Sequence, residues 1–231
     1  HLADWFNAHL ELKESIEQRQ EAIRELSTDL EYRQQIRLFG LLYKGNPADI
    51  NEIREWAGSP SYYRKHTLLR IIPTVVSIIN LICIGSAIVG ILPATVPGGV
   101  FFCFVIFSSI FSKGITKLQA TYGKKLQILS TYADQMLLTE KKEMNSPVLQ
   151  QLKTELTSQN QTASQAVRQL SKLMNALDQR SNLLMSTILN GLIFWELRQV
   201  MRIEKWKETH ASDLPRWIET IGEIDAYCSL A

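Results

Sequence analysis

The chain has 231 residues, enough for one or two domains with a sizeable hydrophobic core. Its 25 basic and 23 acidic residues give a net charge of +2, which excludes a polycationic nucleic-acid binder, so a contact with nucleic acid would need a local basic patch. The three cysteines show no metal-binding spacing and argue against a disulfide framework, in keeping with a reducing compartment.

The first sixty residues carry the apolar periodicity of amphipathic helices. Apolar side chains at helical spacing predict helices over residues 2–12 and 13–26. The Ser-Thr-Asp sequence that follows supplies good N-caps for a third helix, predicted over residues 27–43. Pro47 opens a short fourth helix over residues 48–56, and a Gly-Ser-Pro sequence ends it.

Residues 71–112 stand apart from the rest of the chain because they contain no Asp, Glu, Lys, Arg or His. Residues 71–92 give a first apolar arm of about 22 residues, long enough to cross a hydrocarbon core of about 30 Å. A Pro/Gly-rich turn at residues 93–99 precedes a second arm, residues 100–112, of about 13 residues, short against the roughly 20 that a span needs. This arm reaches spanning length only by starting inside the turn and extending toward Leu118. The sequence therefore predicts an apolar helical hairpin.

Basic residues flank the hairpin at both outer ends, and none lies in its turn. This distribution predicts an anchor in the inner membrane with both ends on the cytoplasmic side. Tyr62 and Tyr63, beside the first basic group, would form the aromatic part of a membrane interface. The cationic side chains are candidates for contacts with phosphate groups or with the membrane interface, and they are Arg64, Lys65, Arg70, Lys113, Lys117, Lys124 and Lys125.

The same apolar run also fits the buried hairpin of an all-helical soluble domain, because buried helices are apolar on every side. The short second arm favours this alternative. Polar side chains within the run favour it too, and these are Ser77, Asn80, Ser86, Ser108 and Ser109. The sequence leaves both structures open.

The second half of the chain is again helical in pattern. Apolar spacing predicts one or two helices over residues 115–143, a short helix over 148–156 and a final helix over 216–231. The longest periodic run, residues 166–208, predicts a long lever or a buried central helix. The polar residues 158–165 are expected to be exposed. No alternating strand pattern is present, so the predicted class is all-α.

The sequence contains no recognisable catalytic or metal site. A phosphate-binding loop would need a glycine five residues before Gly123-Lys124, but Leu118 occupies that place. The four histidines lack the spacing of metal ligands on one helix. We therefore expect no catalytic, cofactor-binding or metal-binding residue in this chain and no enzymatic activity of its own.

Basic and acidic residues alternate near the end of the longest periodic run. This pattern is typical of a solvated helix face, although the basic side chains could also contact phosphates. We therefore expect the face to be exposed to water. Its members are Glu196, Arg198, Arg202, Glu204, Lys205, Lys207 and Glu208.

Several segments of the sequence resemble the lever, or core, domain of MutS-family DNA mismatch-repair ATPases. Residues 2–56 are similar to the family's short first helix and to the "I..RQ.AI.EL..D..LR..L" motif that follows it. The matching residues are Leu2, Trp5, Phe6, Leu10, Ile16, Arg19, Gln20, Ala22, Ile23, Leu26, Leu30 and Arg33. Residues 145–152 resemble the family's second core motif, and residues 217–231 resemble the segment that leads into its ATPase domain.

The resemblance implies a lever that couples a downstream ATPase domain to DNA or to membrane-bound partners. It implies that ATP and Mg²⁺ are bound only in a domain beyond Ala231, that the parent protein is a homodimer, and that double-stranded DNA is a candidate partner. The chain lacks an initiator methionine and ends on an apolar CSLA, so we expect it to be a piece of a longer protein.

Two departures from the family pattern affect what the resemblance implies. The apolar hairpin is foreign to ordinary mismatch-repair proteins and suggests a membrane-associated branch. Residues 166–208 look too short to carry the family's DNA-gripping clamp, which puts mismatch recognition in doubt.

We therefore predict an all-α fold, an elongated multi-helix lever/core bundle with an apolar helical hairpin. Residues 1–60 would form the first part of the core, residues 61–116 the hairpin, and residues 117–231 the second part with a long lever helix. The predicted function is a non-catalytic lever segment of a MutS-like ATPase. The alternative is a structural or scaffolding helical membrane protein with no nucleic-acid role.

Overall fold

The computed structural model describes residues 13–42, 47–157, 161–178 and 182–231, without the side chains of residues 13–15, 42, 47–50, 113, 117–128, 178 and 183. The described residues form helices and no strand, so the predicted all-α class is confirmed. The helix predicted over residues 2–12 lies outside the described residues. In chain order the helices are α1 (Lys13–Ser27), α2 (Leu30–Leu42), α3 (Pro47–Gly58), α4 (Thr67–Ile88), α5 (Thr95–Lys141), α6 (Pro147–Thr157), α7 (Ala163–Asp178), α8 (Leu183–Ile193), α9 (Trp195–His210) and α10 (Leu214–Leu230).

The early helices begin and end within three residues of the predicted bounds. Asp29 is the N-cap of α2, because its Oδ1 accepts a hydrogen bond from the backbone N–H of Tyr32 at 2.9 Å. Pro47 is the first residue of α3, a position where the missing N–H of proline has no intrahelical partner to lose. Local sequence signals were therefore sufficient for this part of the chain.

Helix α5 is longer than the sequence pattern predicts. Its 47 residues join the second apolar arm to the helix predicted over residues 115–143. The helix already begins at Thr95, so Pro97 lies in its first turn, where proline is tolerated. At 1.5 Å per residue the helix is about 70 Å long.

The run over residues 166–208 is divided into three helices instead of one. Asn182 caps the start of α8, since its side-chain oxygen accepts a hydrogen bond from the backbone N–H of Met185 at 3.2 Å. Phe194 ends α8 in the left-handed conformation, with φ of 53°, and α9 starts at the next residue. A phenylalanine rarely adopts this conformation, so the apolar periodicity of the run could not predict the bend.

The described helices belong to two compact units. The first comprises His1–Ala57, Gln127–Gln169 and His210–Ala231, and the second comprises Gly58–Leu126 and Leu170–Thr209. Helices α5 and α7 contribute residues to both units, so the boundaries follow packing and not the order of the chain.

The first unit is a conventional helical bundle. Helix α10 packs against α1, α2 and α6, and α1 packs against α2 and α6. Each helix buries one apolar stripe, as amphipathic helices do in a soluble core. Fully buried members of this core include Ala22, Leu26, Ile36, Leu129, Met136, Leu149, Leu156, Ile218, Ile221 and Ile224.

Acidic side chains in the first unit cap helices distant in sequence. The Glu25 carboxylate accepts the backbone N–H groups of Asn145 and Ser146 at 2.8 and 2.7 Å, at the start of α6. The Glu140 carboxylate accepts the backbone N–H and the hydroxyl of Ser164 at 2.8 and 2.6 Å. Such caps satisfy amides that a helix N-terminus leaves without an intrahelical partner.

The prediction that residues 158–165 are exposed is wrong for Ala163 and Ser164, which are both buried. Helix α7 begins at Ala163, and the Glu140 cap draws Ser164 into the core. Residues 158–160 lie outside the described residues. The polar composition of the segment did not reveal that a carboxylate elsewhere in the chain would pair with it.

Glu155 is expected to make the stability of the first unit depend on pH. A hydrogen bond from Arg216 lowers the pKa of Glu155 below its usual 4.5, Thr220 adds to this effect, and burial opposes it. The folded chain therefore keeps the carboxylate charged to lower pH than the unfolded chain does. The resulting stabilisation is present above about pH 4.5 and is lost as the pH falls through the folded-state value.

Glu155→Gln should accordingly lower the Tm at pH 7, and its difference from the wild type should shrink below about pH 4. Glu219→Gln is the matched control, because Glu219 pairs with Arg54 and both side chains are partly exposed. A Tm difference for Glu155→Gln that stays constant from pH 7 to pH 3 would contradict this account.

The second unit has a small buried core and a large apolar surface. Its buried residues come from α4, α5, α7, α8 and α9, and include Val76, Ile115, Leu173, Met174, Phe194, Leu197, Val200, Ile203 and Trp206. The two apolar arms, Thr67–Ile88 and Thr95–Ser112, are both long and apolar enough to cross a membrane. Only 17% of the first apolar window and none of the second is buried.

A glycine turn joins the two arms. Gly90 has a φ of +82°, and the backbone N–H groups of Gly90 and Ile91 donate to the carbonyls of Ala87 and Ser86 at 3.1 and 2.9 Å. These two hydrogen bonds and the left-handed glycine form a Schellman motif, which ends α4 and satisfies its last carbonyls. The predicted hairpin is therefore present, with its turn between α4 and α5.

Candidate functional site at the base of the apolar hairpin

The outer surface of the hairpin is formed by large apolar side chains. Leu81 on α4 is 73% exposed and Phe102 on α5 is 66% exposed. A monomeric soluble protein rarely leaves an apolar surface of this extent uncovered. The alternative in which the hairpin is buried inside this chain's own helical core does not fit these exposures.

Glu204 holds the chain where it enters the first arm. Its carboxylate accepts hydrogen bonds from the backbone N–H groups of Tyr62, Tyr63 and Arg64, at 2.8, 3.0 and 2.6 Å. Glu204 is only 6% exposed, so these three charge-assisted bonds replace the hydration of a buried carboxylate. The turn before α4 is thereby fixed to helix α9.

Two further residues of α9 bind the same segment. The Glu208 carboxylate pairs with the Arg64 guanidinium at 2.8 Å, and the Lys207 ammonium donates to the Ser59 hydroxyl at 2.7 Å. Burial lowers the pKa of Lys207, while the charges of Glu204 and Glu208 act in the opposite direction.

The prediction of a solvated face on this helix is therefore wrong for Glu196, Glu204 and Lys207, which are all buried. Arg202 and Lys205 are exposed as predicted. The alternating charges are divided between a binding side and a water-facing side, which the sequence pattern alone does not distinguish.

Arg198 connects the start of α9 to the first arm. Its guanidinium donates to the Pro73 carbonyl and the Ser77 hydroxyl, both at 2.8 Å, and its Nε donates to the Ile193 carbonyl at 2.9 Å. One cation therefore satisfies groups on α4 and on the last turn of α8.

Asn80 makes a second connection, deeper along the first arm. Its side-chain amide donates to the carbonyls of Gly191 and Leu192 at 3.0 Å each and to its own helix at Val76, at 3.2 Å. Asn80 is 4% exposed. Because the last carbonyls of a helix have no intrahelical donor, Asn80 acts as a remote cap on the C-terminus of α8.

Close helix packing surrounds this cap. A Cβ on Gly191 would overlap the Phe101 ring of α5, so only glycine permits this approach. The ring of Phe194 lies 6.1 and 5.9 Å from the ring centroids of Phe104 and Phe107. The bend between α8 and α9 is therefore enclosed by side chains of the second arm.

Asn80→Leu is expected to destabilise the second unit by about 2 kcal/mol, because it leaves two carbonyls of α8 without donors in apolar surroundings. Thermal unfolding of the whole chain in detergent measures the effect. Ser109→Ala is the control, since the Ser109 hydroxyl is exposed and donates within its own helix, to Ile106. Wild-type stability of Asn80→Leu would contradict the capping role.

The predicted cationic residues fall into two groups. Arg64 is half-buried and paired with Glu208, whereas Lys65 and Arg70 are exposed beside the start of α4. The backbone positions of Lys113, Lys117, Lys124 and Lys125 lie in α5, but their side chains are outside the described part of the chain. Their contacts with phosphates or with a membrane stay a prediction.

The two tyrosines at the interface differ in environment. Tyr62 is exposed, and Tyr63 is buried with its ring 5.2 Å from that of Tyr62. Burial raises the pKa of Tyr63, and the Glu204 carboxylate adds to this effect. Tyr62 therefore has the exposure that an interfacial anchor needs, and Tyr63 serves as packing.

A basic cavity lies between α4 and α9. It has a volume of about 470 Å³, and its lining includes Arg70, Arg198, Arg202 and Trp195. The exposed guanidinium groups of Arg70 and Arg202 and the Trp195 indole can bind an anionic headgroup by hydrogen bonds and by stacking.

The described residues contain no group of three or more His, Cys, Asp or Glu side chains arranged to hold a metal ion. Cys83, Cys103 and Cys228 are free thiols. Burial raises the pKa of Cys228 to about 12, which makes its thiolate unavailable near neutral pH.

Glu204, Arg198 and Asn80 are the residues that sequence reasoning missed as connectors. In the sequence, Asn80 is a polar residue inside an apolar run, and the two charged residues belong to an alternating helix face. A lone amide in an otherwise apolar segment was the one available signal, since such a group needs a buried partner.

Comparison of the chain with models of known protein families, with curated proteins and with solved structures gives no match. The functional interpretation therefore depends on the geometry of the hairpin and on the residues at its base.

Proposed function

We propose that this chain is a membrane-anchored, non-catalytic helical lever segment of a MutS-like ATPase. The observation that supports the membrane anchor is the exposed apolar hairpin, formed by α4 and the first part of α5. The sequence resemblance over residues 2–56 and 145–231 supports the lever.

A lipid bilayer supplies the environment that the hairpin needs. Apolar surface gains about 25 cal/mol per Å² when it leaves water, and the side chains of the two arms are exposed over most of their length. Helices are also the form in which a backbone can cross hydrocarbon, because their N–H and C=O groups bond to each other.

The distribution of charge favours an anchor with both ends in the cytoplasm. Arg64, Lys65 and Arg70 precede the first apolar arm, and Lys113 follows the second. The turn between the arms has no basic residue. By the positive-inside rule, this proposal places the turn outside the inner membrane. The basic cavity beside Arg70 would then lie at the level of anionic lipid headgroups.

The proposed lever action depends on helix α5. This helix begins at the hairpin turn and continues to Lys141, so it has residues in both units. A motion driven by ATP hydrolysis in a downstream domain of the parent protein could therefore reach the membrane anchor through this helix. In this proposal ATP and Mg²⁺ bind in that domain, and the parent protein is a homodimer.

Membrane fractionation tests the anchor. The full chain should remain with the membrane pellet after an alkaline carbonate wash, and it should need detergent to give a dispersed helical particle by light scattering and circular dichroism. A dispersed particle in plain buffer would overturn the membrane anchor.

A second candidate function is a structural helical membrane protein with no nucleic-acid role, favoured by the unremarkable net charge of +2. A Walker A sequence beyond Ala231 and ATP hydrolysis by the parent protein would support the lever. Binding of duplex DNA that weakens steeply between low and high salt would indicate direct phosphate contacts. The absence of both activities in the parent protein would favour the scaffold.

A further inference from the structure

Helix α8 forms a short apolar element beside the hairpin. Residues Leu184–Ile193 are apolar but number only ten, about 15 Å, which is half the thickness of a hydrocarbon core. The helix packs against α4, while Leu184 is 79% exposed and Ile188 is 48% exposed. Its outer face is therefore as apolar as the adjoining hairpin.

The chain folds back on itself after α8. The Ser186 hydroxyl donates to the Glu196 carboxylate at 3.0 Å, and the backbone N–H of Glu196 donates to the Asn190 side chain at 3.0 Å. Residues before and after Phe194 are thus in direct contact. Helix α9 then leads back to Glu204, which binds the segment that precedes the first arm.

The bend lies beside the first half of the apolar run of α4. Arg70 is the last charged residue before this run, and Asn80 follows it ten residues later, about 15 Å along the helix. Asn80 bonds directly to Gly191 and Leu192, next to the bend. Ile193 and Trp195, on either side of Phe194, line a cavity with Arg70 and Pro73. If α4 crosses a membrane, Phe194 therefore lies between the level of Arg70 and the depth of Asn80.

The last carbonyls of α8 are satisfied by side chains. Asn80 donates to Gly191 and Leu192, and Arg198 donates to Ile193. In water these carbonyls could bond to solvent, but hydrocarbon offers no donor, so a helix that ends there needs protein partners. The pattern is the one that an intramembrane helix end requires.

We propose that α8 and the bend at Phe194 form a re-entrant element, which enters the bilayer and leaves it on the side of the hairpin's two ends. The face formed by Leu184, Met185 and Ile188 contacts lipid acyl chains. This inference rests on the proposed membrane hairpin and extends the membrane-embedded part of the chain to a segment too short to span.

Quenching by brominated lipid acyl chains tests the inference. The full chain, with Cys83, Cys103 and Cys228 replaced by alanine, is labelled with an environment-sensitive fluorophore at one introduced cysteine. Ile188→Cys reports on α8 and Ile82→Cys on the hairpin. Leu38→Cys, exposed on α2, is the water-facing control. Each variant is placed in phosphatidylethanolamine–phosphatidylglycerol vesicles with and without brominated chains.

The inference predicts a blue-shifted emission and a loss of intensity in brominated vesicles at both Ile188→Cys and Ile82→Cys, with neither change at Leu38→Cys. Quenching at Ile82→Cys without quenching at Ile188→Cys would overturn the re-entrant element and leave the hairpin standing. Quenching at neither position would overturn the proposed membrane hairpin itself.

A second variant tests the role of the remote cap. Adding Asn80→Leu to the labelled chain removes the donors for Gly191 and Leu192. We expect the quenching at Ile188→Cys to fall while that at Ile82→Cys is unchanged. Equal quenching at Ile188→Cys with and without Asn80 would overturn the inference that this cap holds α8 in the hydrocarbon.

Discussion

Arginine substitutions on the exposed face of the hairpin are expected to prevent membrane integration. Ile82→Arg and Phe102→Arg each place a charge near the middle of an apolar arm, and insertion of arginine at such a position costs about 3 kcal/mol. The double variant should shift from the membrane fraction to aggregates or to the soluble fraction. Fractionation and the carbonate wash measure the shift.

The same substitutions have the opposite effect in a soluble protein. Both side chains are exposed, so arginine there would be neutral for folding and would improve solubility. Ile82→Leu and Phe102→Leu are the matched controls, since they preserve apolar character. Normal membrane association of the double arginine variant would contradict the membrane hairpin.

Loss of the Glu204 carboxylate is expected to give the largest destabilisation of any single substitution considered. Glu204→Ala removes the acceptor of three backbone N–H groups in the segment 62–64, and an unpaired buried donor costs about 1–3 kcal/mol. Since part of this segment can be reached by water, we expect a total loss of about 3 kcal/mol. The free energy of unfolding in detergent measures it.

Glu204→Gln should lose less than Glu204→Ala, about 1–2 kcal/mol, because the amide oxygen still accepts. Glu208→Gln, on the next turn of α9, is the control. Its pair with Arg64 is partly exposed, so we expect a change within about 0.5 kcal/mol. Equal effects of Glu204→Ala and Glu208→Gln would show that the three backbone bonds do not hold the entrance of the hairpin.

Much of the fold could be predicted from local signals. The Asp29 cap, Pro47 at the start of α3 and the Pro/Gly turn between the apolar arms act within a few residues of the elements they define. Apolar periodicity also predicted the all-α class and, to within two residues, the bounds of α1, α3, α6 and α10. These features are local because helix formation depends on neighbours three or four residues away.

The remaining features depend on contacts between distant residues. Glu204 lies about 140 residues from the amides that it binds, and Asn80 lies 111 residues from Gly191. In a helix pattern a buried glutamate and an exposed one look alike, so the sequence does not show which charged residues of α9 are buried. The bend at Phe194 also depends on contacts between distant residues, because packing against Phe104 and Phe107 holds a conformation that phenylalanine does not favour.

The basic cavity, unlike most of the helices, is formed by residues from distant parts of the chain. The candidate cationic residues lie at the ends of the apolar run, and the structure places one of them, Arg70, at a basic cavity with Arg198 and Arg202. The two partners in this cavity lie more than 120 residues away in sequence, so no local pattern could have joined them to Arg70.

Labelling of the hairpin turn tests the central claim most directly. In a chain without its three natural cysteines, Ala94→Cys and Lys65→Cys are exposed in turn to a membrane-impermeant maleimide on intact cells and on permeabilised cells. The account predicts that Ala94→Cys reacts in intact cells, whereas Lys65→Cys reacts only after the membrane is opened. Protection of Ala94→Cys in intact cells together with labelling of both positions after permeabilisation would contradict a spanning hairpin with cytoplasmic ends.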